Sequence, residues 1–180
     1  MFEHITYDVS EGIAKITLNR PEVYNALNNQ IKIELKQAFE QAREDSAVRV
    51  IILTGNGTAF CSGQDLKAAT SELADTSYSE AVRTYYNPLI LAMRNLPKPI
   101  ICQLNGLAAG AGCSLALACD MIIASDQASM AELFVGIGLV MDSGSTYFLP
   151  RMVGSLRAFE LASTGRRVTA EEAVQIGLAN

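Results

Sequence analysis

The sequence predicts an α/β domain with largely parallel sheets. Strand-like runs alternate with helical stripes along the whole chain. Several of the strands, among them Val48 to Thr54 and Ile100 to Leu104, are nearly continuous apolar runs, as strands covered on both faces are. Hydrophobic residues make up 49% of the 180, which is enough for a core in one domain and too many for a disordered chain.

The elements follow in order. Ile5 to Val9 and Ile13 to Leu18 alternate apolar and polar residues around Glu11-Gly12, the pattern of a β-hairpin. Asn19-Arg20-Pro21-Glu22 breaks it, and Asn25 to Asn28 lead into a helix whose stripe is Ile31, Ile33, Leu35, Ala38 and Phe39. The strand Val48 to Thr54 ends at Gly55-Asn56-Gly57, and a loop runs from Ala59 to Asp65. Residues 68 to 79 lack apolar periodicity and read as a mobile lid over a ligand. Glu80 to Leu96 is a helix stopped by Pro97-Lys98-Pro99. After the strand Ile100 to Leu104 come a glycine-rich turn and a helix from Ala111. Asp120 to Ala124 is again a strand, Ala128 to Phe134 an extended segment, and Gly136 to Gly144 a loop. Helices return at Thr146 to Val153 and Leu156 to Ser163, and the capping box Thr169-x-x-Glu172 opens a last one.

Composition excludes some functions. Against 14 basic residues stand 19 acidic ones, a net charge of -5 that disfavours a nucleic-acid partner. No apolar run reaches the length of a membrane span, since Asn105 and Asp120 bracket the longest. The N-terminus lacks the charged and apolar regions of a signal peptide. Cys61, Cys102, Cys113 and Cys119 form no C-x-x-C pair, and three lie in apolar runs. Buried reduced thiols in a cytoplasmic protein are the expectation. His4 is the only histidine, so a Ser-His triad or a histidine metal site is hard to build.

The stretch from Leu104 to Asp120 organises the rest. Gly106, Gly110 and Gly112 sit at a strand-to-helix turn, where glycine lets a ligand or another backbone come close. The first helical turn leaves N–H groups unpaired, and such groups hold a negative oxygen well.

With these pieces in order the chain resembles the crotonase, or enoyl-CoA hydratase/isomerase, family over essentially all of its length. The segments that carry the resemblance are Leu18-Asn-Arg-Pro-Glu22 with Asn25-Ala26-Leu27, Phe60-Cys-Ser-Gly-Gln-Asp-Leu66, Lys98 to Asp120, Ala124 to Ala128, Leu149-Pro-Arg151 with Gly154, and Thr164-Gly165 to Gly177-Leu178. The resemblance implies a ββα spiral with two roughly perpendicular sheets surrounded by helices. It implies an acyl-CoA substrate, no further cofactor and no metal. It places the thioester oxygen between the N–H groups of Gln64 and Ala111, an oxyanion hole in which alanine stands where relatives usually carry glycine. Substrate contacts are expected at Ala26, Ser62, Gly63, Asp65, Leu66 and Gly110; Lys67 could meet a phosphate of CoA, and the apolar Met130, Leu133 and Phe134 could fit an acyl group or aromatic ring.

Hydratases of the family add water with two glutamates. By motif position those would sit at Ser114 and Phe134, and neither residue can move a proton near neutral pH. Glu132 lies two residues off the second position. The acid that matches the acid/base aspartate of related isomerases is Asp142, in Gly138-Leu-Val-Met-Asp142. Together with Tyr86-Asn87-Pro88-Leu89 and Leu149-Pro-Arg151 it resembles most the ring-epoxide isomerase subgroup of phenylacetate breakdown. One carboxylate suits isomerisation, which consumes no water. A non-catalytic acyl-CoA-binding protein and a hydratase with displaced acid and base remain open alternatives. Relatives continue past Gly177-Leu178 with helices that complete a homotrimer or a dimer of trimers, which is the assembly expected if such a segment is present.

Overall fold

In the computed structural model, which describes residues 2–72 and 77–180, β1 (Ile5–Ser10) and β2 (Ile13–Leu18) form the expected antiparallel hairpin, with Ile5 opposite Leu18. Glu11 and Gly12 turn the chain at φ of 54° and 82°, the left-handed pair that matches strand twist in a two-residue hairpin. Ala14, Ile16 and Leu18 point inward at period two and are fully buried. Helix α1 (Asn29–Glu44) begins on Asn28, whose carboxamide oxygen accepts from the Ile31 N–H at 2.9 Å. It buries Ile31, Leu35, Ala38, Phe39 and Ala42 against β1 and β2.

Parallel strands extend this sheet. β3 (Val50–Gly55) joins β2, β5 (Ile100–Leu104) joins β3, and β7 (Met121–Ala124) joins β5, giving the order β1-β2-β3-β5-β7. A second sheet interleaves with the first along the sequence: β4 (Ala59–Cys61), β6 (Leu107–Ala109) and β8 (Ser129–Ala131) run parallel, and β9 (Val168–Thr169) closes it antiparallel to β8. The chain therefore climbs in turns of one strand in the large sheet, one in the small sheet, then helix. After β4 come α2 (Leu66–Glu72), α3 (Tyr78–Ala81), a π-helical turn (Val82–Tyr86) and α4 (Asn87–Arg94). After β6 comes α5 (Ala111–Leu117), and after β8 a 3-10 helix (Leu133–Ile137) with α6 (Ser145–Val153) and α7 (Ser155–Thr164). Helix α8 (Ala170–Gln175) follows β9. This is the ββα spiral that the motifs implied.

Four local expectations change. The stretch read as a lid is helical from Ala68 to Glu72, because the Asp65 carboxylate caps α2 by accepting from the Lys67 and Ala68 N–H groups at 3.2 and 3.1 Å. Residues 73–76 of that stretch lie outside the described residues. The next helix begins at Tyr78 rather than Glu80, since Ser77 Oγ accepts from the Glu80 N–H. The loop after Ala59 holds β4, which the parallel neighbour β6 pairs. The extended segment ends at Ala131, and Phe134 sits on the 3-10 helix, so Glu132 and Phe134 do not share a strand face.

All four cysteines are buried and unpaired. Among the described residues, no helix is long and apolar enough to cross a membrane.

Candidate active site

The spiral brings the carboxyl ends of β4, β6 and β8 side by side, and the residues that follow each strand meet in one cleft of about 210 Å³. Ser62, Gly63 and Gln64 come from the end of β4, Gly110 and Ala111 from the end of β6, and Leu133 and Phe134 from the end of β8. Leu66, Tyr78, Ile137 and Leu139 complete the wall. Ligands bind outside the carboxyl ends of parallel strands because helix starts and loops converge there. The rim is apolar and open: Leu66, Leu133 and Ile137 are all exposed, a surface suited to an apolar acyl group.

Two backbone amides face this space. Leu27 bridges Gln64 in parallel register by donating to the Gly63 carbonyl at 2.8 Å and accepting from the Asp65 N–H at 3.0 Å. That pattern uses the peptides on either side and turns the N–H of Gln64 away from Leu27. Ala111 opens α5, so its N–H has no acceptor within the helix. Neither amide donates to any of the described residues. Glycine is required to bring them together. A Cβ on Gly63 (φ 96°) would meet the Ala109 carbonyl oxygen at 2.7 Å and the Ala111 nitrogen at 3.5 Å. One on Gly112 would meet the Cys61 carbonyl oxygen at 2.3 Å.

The Gln64 side chain is anchored on the opposite side. Its Oε1 accepts from Tyr86 Oη at 2.5 Å and from Lys32 Nζ at 3.2 Å, and its Nε2 donates to the Asp65 carbonyl at 3.3 Å. Lys32 is 2% exposed, with its ammonium over the rings of Tyr86 and Tyr85 at 4.4 and 5.3 Å.

Asp142 meets the cleft through Tyr78, whose phenol donates to Oδ2 at 2.6 Å. Ser143 Oγ donates to Oδ1 at 2.8 Å, so both carboxylate oxygens are held. Burial, and next the bond and charge of Asp142, push the Tyr78 phenol above its ordinary value, so Tyr78 keeps its proton. Glu132 is different. It is 3% exposed, its Oε1 lies 2.8 Å from Ser145 Oγ, and its Oε2 has no hydrogen-bond partner. Burial pushes this carboxyl up to about 7 against the pull of Ser145 and Cys113, with the charge of Asp142 adding to the rise. Ser114 is fully buried, with Oγ 3.3 Å from the Gly110 carbonyl oxygen and 2.8 Å from Ser145 Oγ. No group of three or more metal-ligating side chains gathers among the described residues.

The enoyl-CoA hydratase/isomerase family profile matches residues 8–180. The chain belongs to this family, the crotonases. Its curated relatives carry both names. A probable enoyl-CoA hydratase of Rhodobacter capsulatus is 45% identical over 177 residues, which are 98% of this chain and 67% of that protein. The 1,2-epoxyphenylacetyl-CoA isomerase of Escherichia coli is 41% identical over 182 residues, 99% of this chain and 69% of that protein. Among solved structures, an enoyl-CoA hydratase from Mycobacterium avium subsp. paratuberculosis superposes with a TM-score of 0.90 at 32% identity, covering 100% of this chain and 68% of that one.

On this crotonase scaffold the residues named from the sequence divide into two sets. Gln64, Ala111, Ser62, Gly63, Leu66, Gly110, Leu133 and Phe134 line the cleft, and Asp142 adjoins it through Tyr78. Ala26, Asp65, Lys67 and Met130 do not line it. The Ala26 carbonyl and the Asp65 carboxylate both accept from Arg20, at 2.7 and 3.0 Å, which fastens the chain beneath α2. Lys67 is exposed on α2, and Met130 is buried within β8. Tyr78 and Lys32 escaped the sequence reading. Ser77-x-x-Glu80 is a capping-box spacing that marks a helix start at Tyr78. Lys32 falls beside the apolar stripe of α1, where a lysine reads as surface until its stem and aromatic partners are seen.

Proposed function

We propose that the chain is a CoA-thioester isomerase that shifts a double bond or rearranges a ring epoxide. The observation that carries this reading is the pairing of one carboxylate, Asp142, with the cleft wall while both hydratase glutamate positions hold Ser114 and Phe134. The thioester oxygen lies between the N–H groups of Gln64 and Ala111. Asp142 takes a proton from the carbon next to the carbonyl, the charge moves onto the oxygen, and the two amides stabilise the enolate. Such donors are worth about 3–4 kcal/mol each. Asp142 then returns the proton at another carbon, and Tyr78 and Ser143 hold it in place for both transfers. No water is consumed, and coenzyme A is part of the substrate, so no separate cofactor or metal enters. The apolar rim of Leu66, Leu133 and Ile137 receives the acyl chain or ring. The name of the Escherichia coli relative supports a ring-epoxide substrate. A cytoplasmic site of action fits the four unpaired cysteines. The exposed Val140, Leu156 and Phe159 are the surface we assign to contact between copies in a homotrimer.

The test is turnover of enoyl-CoA and arylacetyl-CoA epoxide substrates. Asp142→Asn is expected to lower kcat by about a hundred- to ten-thousand-fold, the usual worth of a positioned acid/base group. Unchanged turnover in that variant sinks the aspartate mechanism. The name of the Rhodobacter capsulatus relative favours a second reading, hydration. It predicts that solvent oxygen enters the product, whereas isomerisation incorporates none. Binding without turnover of any substrate marks an acyl-CoA-binding protein instead.

A further inference from the structure

Behind the cleft runs a line of polar side chains that the reaction above does not use. Glu132 Oε1 is 2.8 Å from Ser145 Oγ, Ser145 Oγ is 2.8 Å from Ser114 Oγ, and Ser114 Oγ is 3.3 Å from the Gly110 carbonyl oxygen. Glu132, Ser145 and Ser114 are all buried, so the line is shielded from bulk solvent. A hydroxyl has one proton to give, and a carbonyl has none. If Ser114 donates to Gly110 and Ser145 donates to Ser114, the proton between Ser145 and Glu132 has to come from Glu132. The line closes, with every proton used once, when Glu132 is a neutral acid. Its far end matters because the Gly110 C=O and the Ala111 N–H are two ends of one planar peptide group.

We propose that Glu132 is a positioning residue for the oxyanion hole: protonated, it feeds a one-way hydrogen-bond chain through Ser145 and Ser114 into the Gly110 carbonyl, which orients and polarises the Ala111 N–H. This rests on the thioester reading of the cleft given above. Hydrogen bonds in series strengthen one another, and a donor on the carbonyl side of a peptide makes its N–H a better donor. The N–H of Ser114 reinforces the same carbonyl at 3.0 Å.

Burial and the charge of Asp142 favour the neutral form of Glu132, and they outweigh the opposite pull of Ser145 and Cys113. From α5 the Cys113 thiol stands beside it, itself pushed up by burial and by Glu132. From the loop before α6 the Asp142 carboxylate opposes a second negative charge. Arg166 shares the small cavity of about 10 Å³ at Glu132, but its guanidinium is bound to Glu160 and Glu172 at 2.6 and 2.7 Å. Burial raises Glu132 to about 7, so it loses its proton within the physiological range. On ionising, it draws the Ser145 proton to itself and starves Ser114. It also sets a buried negative charge behind a site that must stabilise an enolate. Support for the Ala111 donor is therefore present at acid pH and lost as pH rises through neutrality.

Cinnamoyl-CoA is the probe, because its conjugated absorption moves to the red when the thioester carbonyl is polarised. The bound red shift is expected to be larger below neutrality than above it. Glu132→Gln, which can donate to Ser145 but cannot ionise, is expected to abolish this pH dependence. Ser145→Ala cuts the relay and is expected to make the shift at acid pH smaller than in the parent protein. A shift independent of pH in the parent protein, or one that varies alike in Glu132→Gln, overturns the proposal. Infrared spectra of the ligand-free protein give a reading independent of substrate. A protonated-carboxyl band is expected at acid pH, fading through neutrality and missing in Glu132→Gln, and its absence at acid pH overturns the proposal. Failure to bind cinnamoyl-CoA at any pH overturns the thioester reading and the proposal with it. Binding with a flat shift overturns the proposal alone.

Discussion

Asp142 is fastened at both oxygens, by Tyr78 from the helix start and by Ser143 from its own loop. In the proposed role of base, a carboxylate held this way spends no entropy finding its geometry at the moment of proton transfer. Tyr78→Phe keeps the ring and the cleft wall but removes one hydrogen bond to a charged acceptor, worth about 1.5–3 kcal/mol. The expected outcome is a kcat about ten- to a hundredfold lower with KM little changed, read from steady-state kinetics. An unchanged kcat would show that the phenol only fills space. Tyr78 also shows why some of the site stayed hidden in the sequence. Its stretch has no apolar periodicity, and its use depends on a partner 64 positions away that only the fold brings near. The places of Gln64 and Ala111 at the cleft were legible because the glycines around them mark where backbone comes close.

At the scale of elements, the cleft depends on how closely the exit of β4 approaches the first turn of α5. Gly112 sits at that contact, where an added Cβ would lie 2.3 Å from the Cys61 carbonyl oxygen. Backbone on both sides cannot yield without moving Gln64 relative to Ala111. Gly112→Ala is therefore expected to cost about 1–3 kcal/mol, as overpacking does, and to lower Tm in calorimetry. Gly136→Ala serves as the contrast, since nothing lies within 4 Å of its added methyl, and it is expected to leave Tm nearly unchanged. Element types were largely readable from period and punctuation. The hairpin followed from alternation around Glu11-Gly12, and α8 from Thr169, which accepts from the Glu172 N–H at 3.2 Å. The reading failed where elements are too short for a period to register. The three residues of β4 passed for loop, and the 3-10 helix after β8 passed partly for continued strand and partly for loop. Such pieces exist because neighbours pair with them, and a neighbour is not visible in a local window.

The whole molecule carries opposing titrations. Burial pushes the Asp65 carboxyl up, but the Ala68 amide, the Arg20 guanidinium and the Lys67 amide outweigh it and hold it below the usual range. Glu34 is likewise held down, by Gln30 and the Glu3 and His4 amides, against its burial. Groups lowered in this way stabilise the fold above their unfolded values, and that contribution fades as pH falls through their folded ones. Glu132 has the reverse sign. Its carboxyl rises from 4.5 to about 7 on folding, so between those values the folded state holds a proton that the unfolded state has released. Stability therefore declines as pH rises across that window, by about 3 kcal/mol in all, and levels off above it. Glu132→Gln removes the decline, because an amide buried in the same place never has to ionise. Urea midpoints measured from mildly acid to mildly alkaline pH are expected to fall in the parent protein and stay level in the variant, so that the variant's advantage is largest above neutrality. Parallel curves would mean that Glu132 ionises in the folded protein as readily as in the unfolded chain. The same proton that the fold retains below neutrality is the one that the proposed relay to the Ala111 amide needs. A stabilised variant with a flat pH response at the site would show both effects to have a single origin.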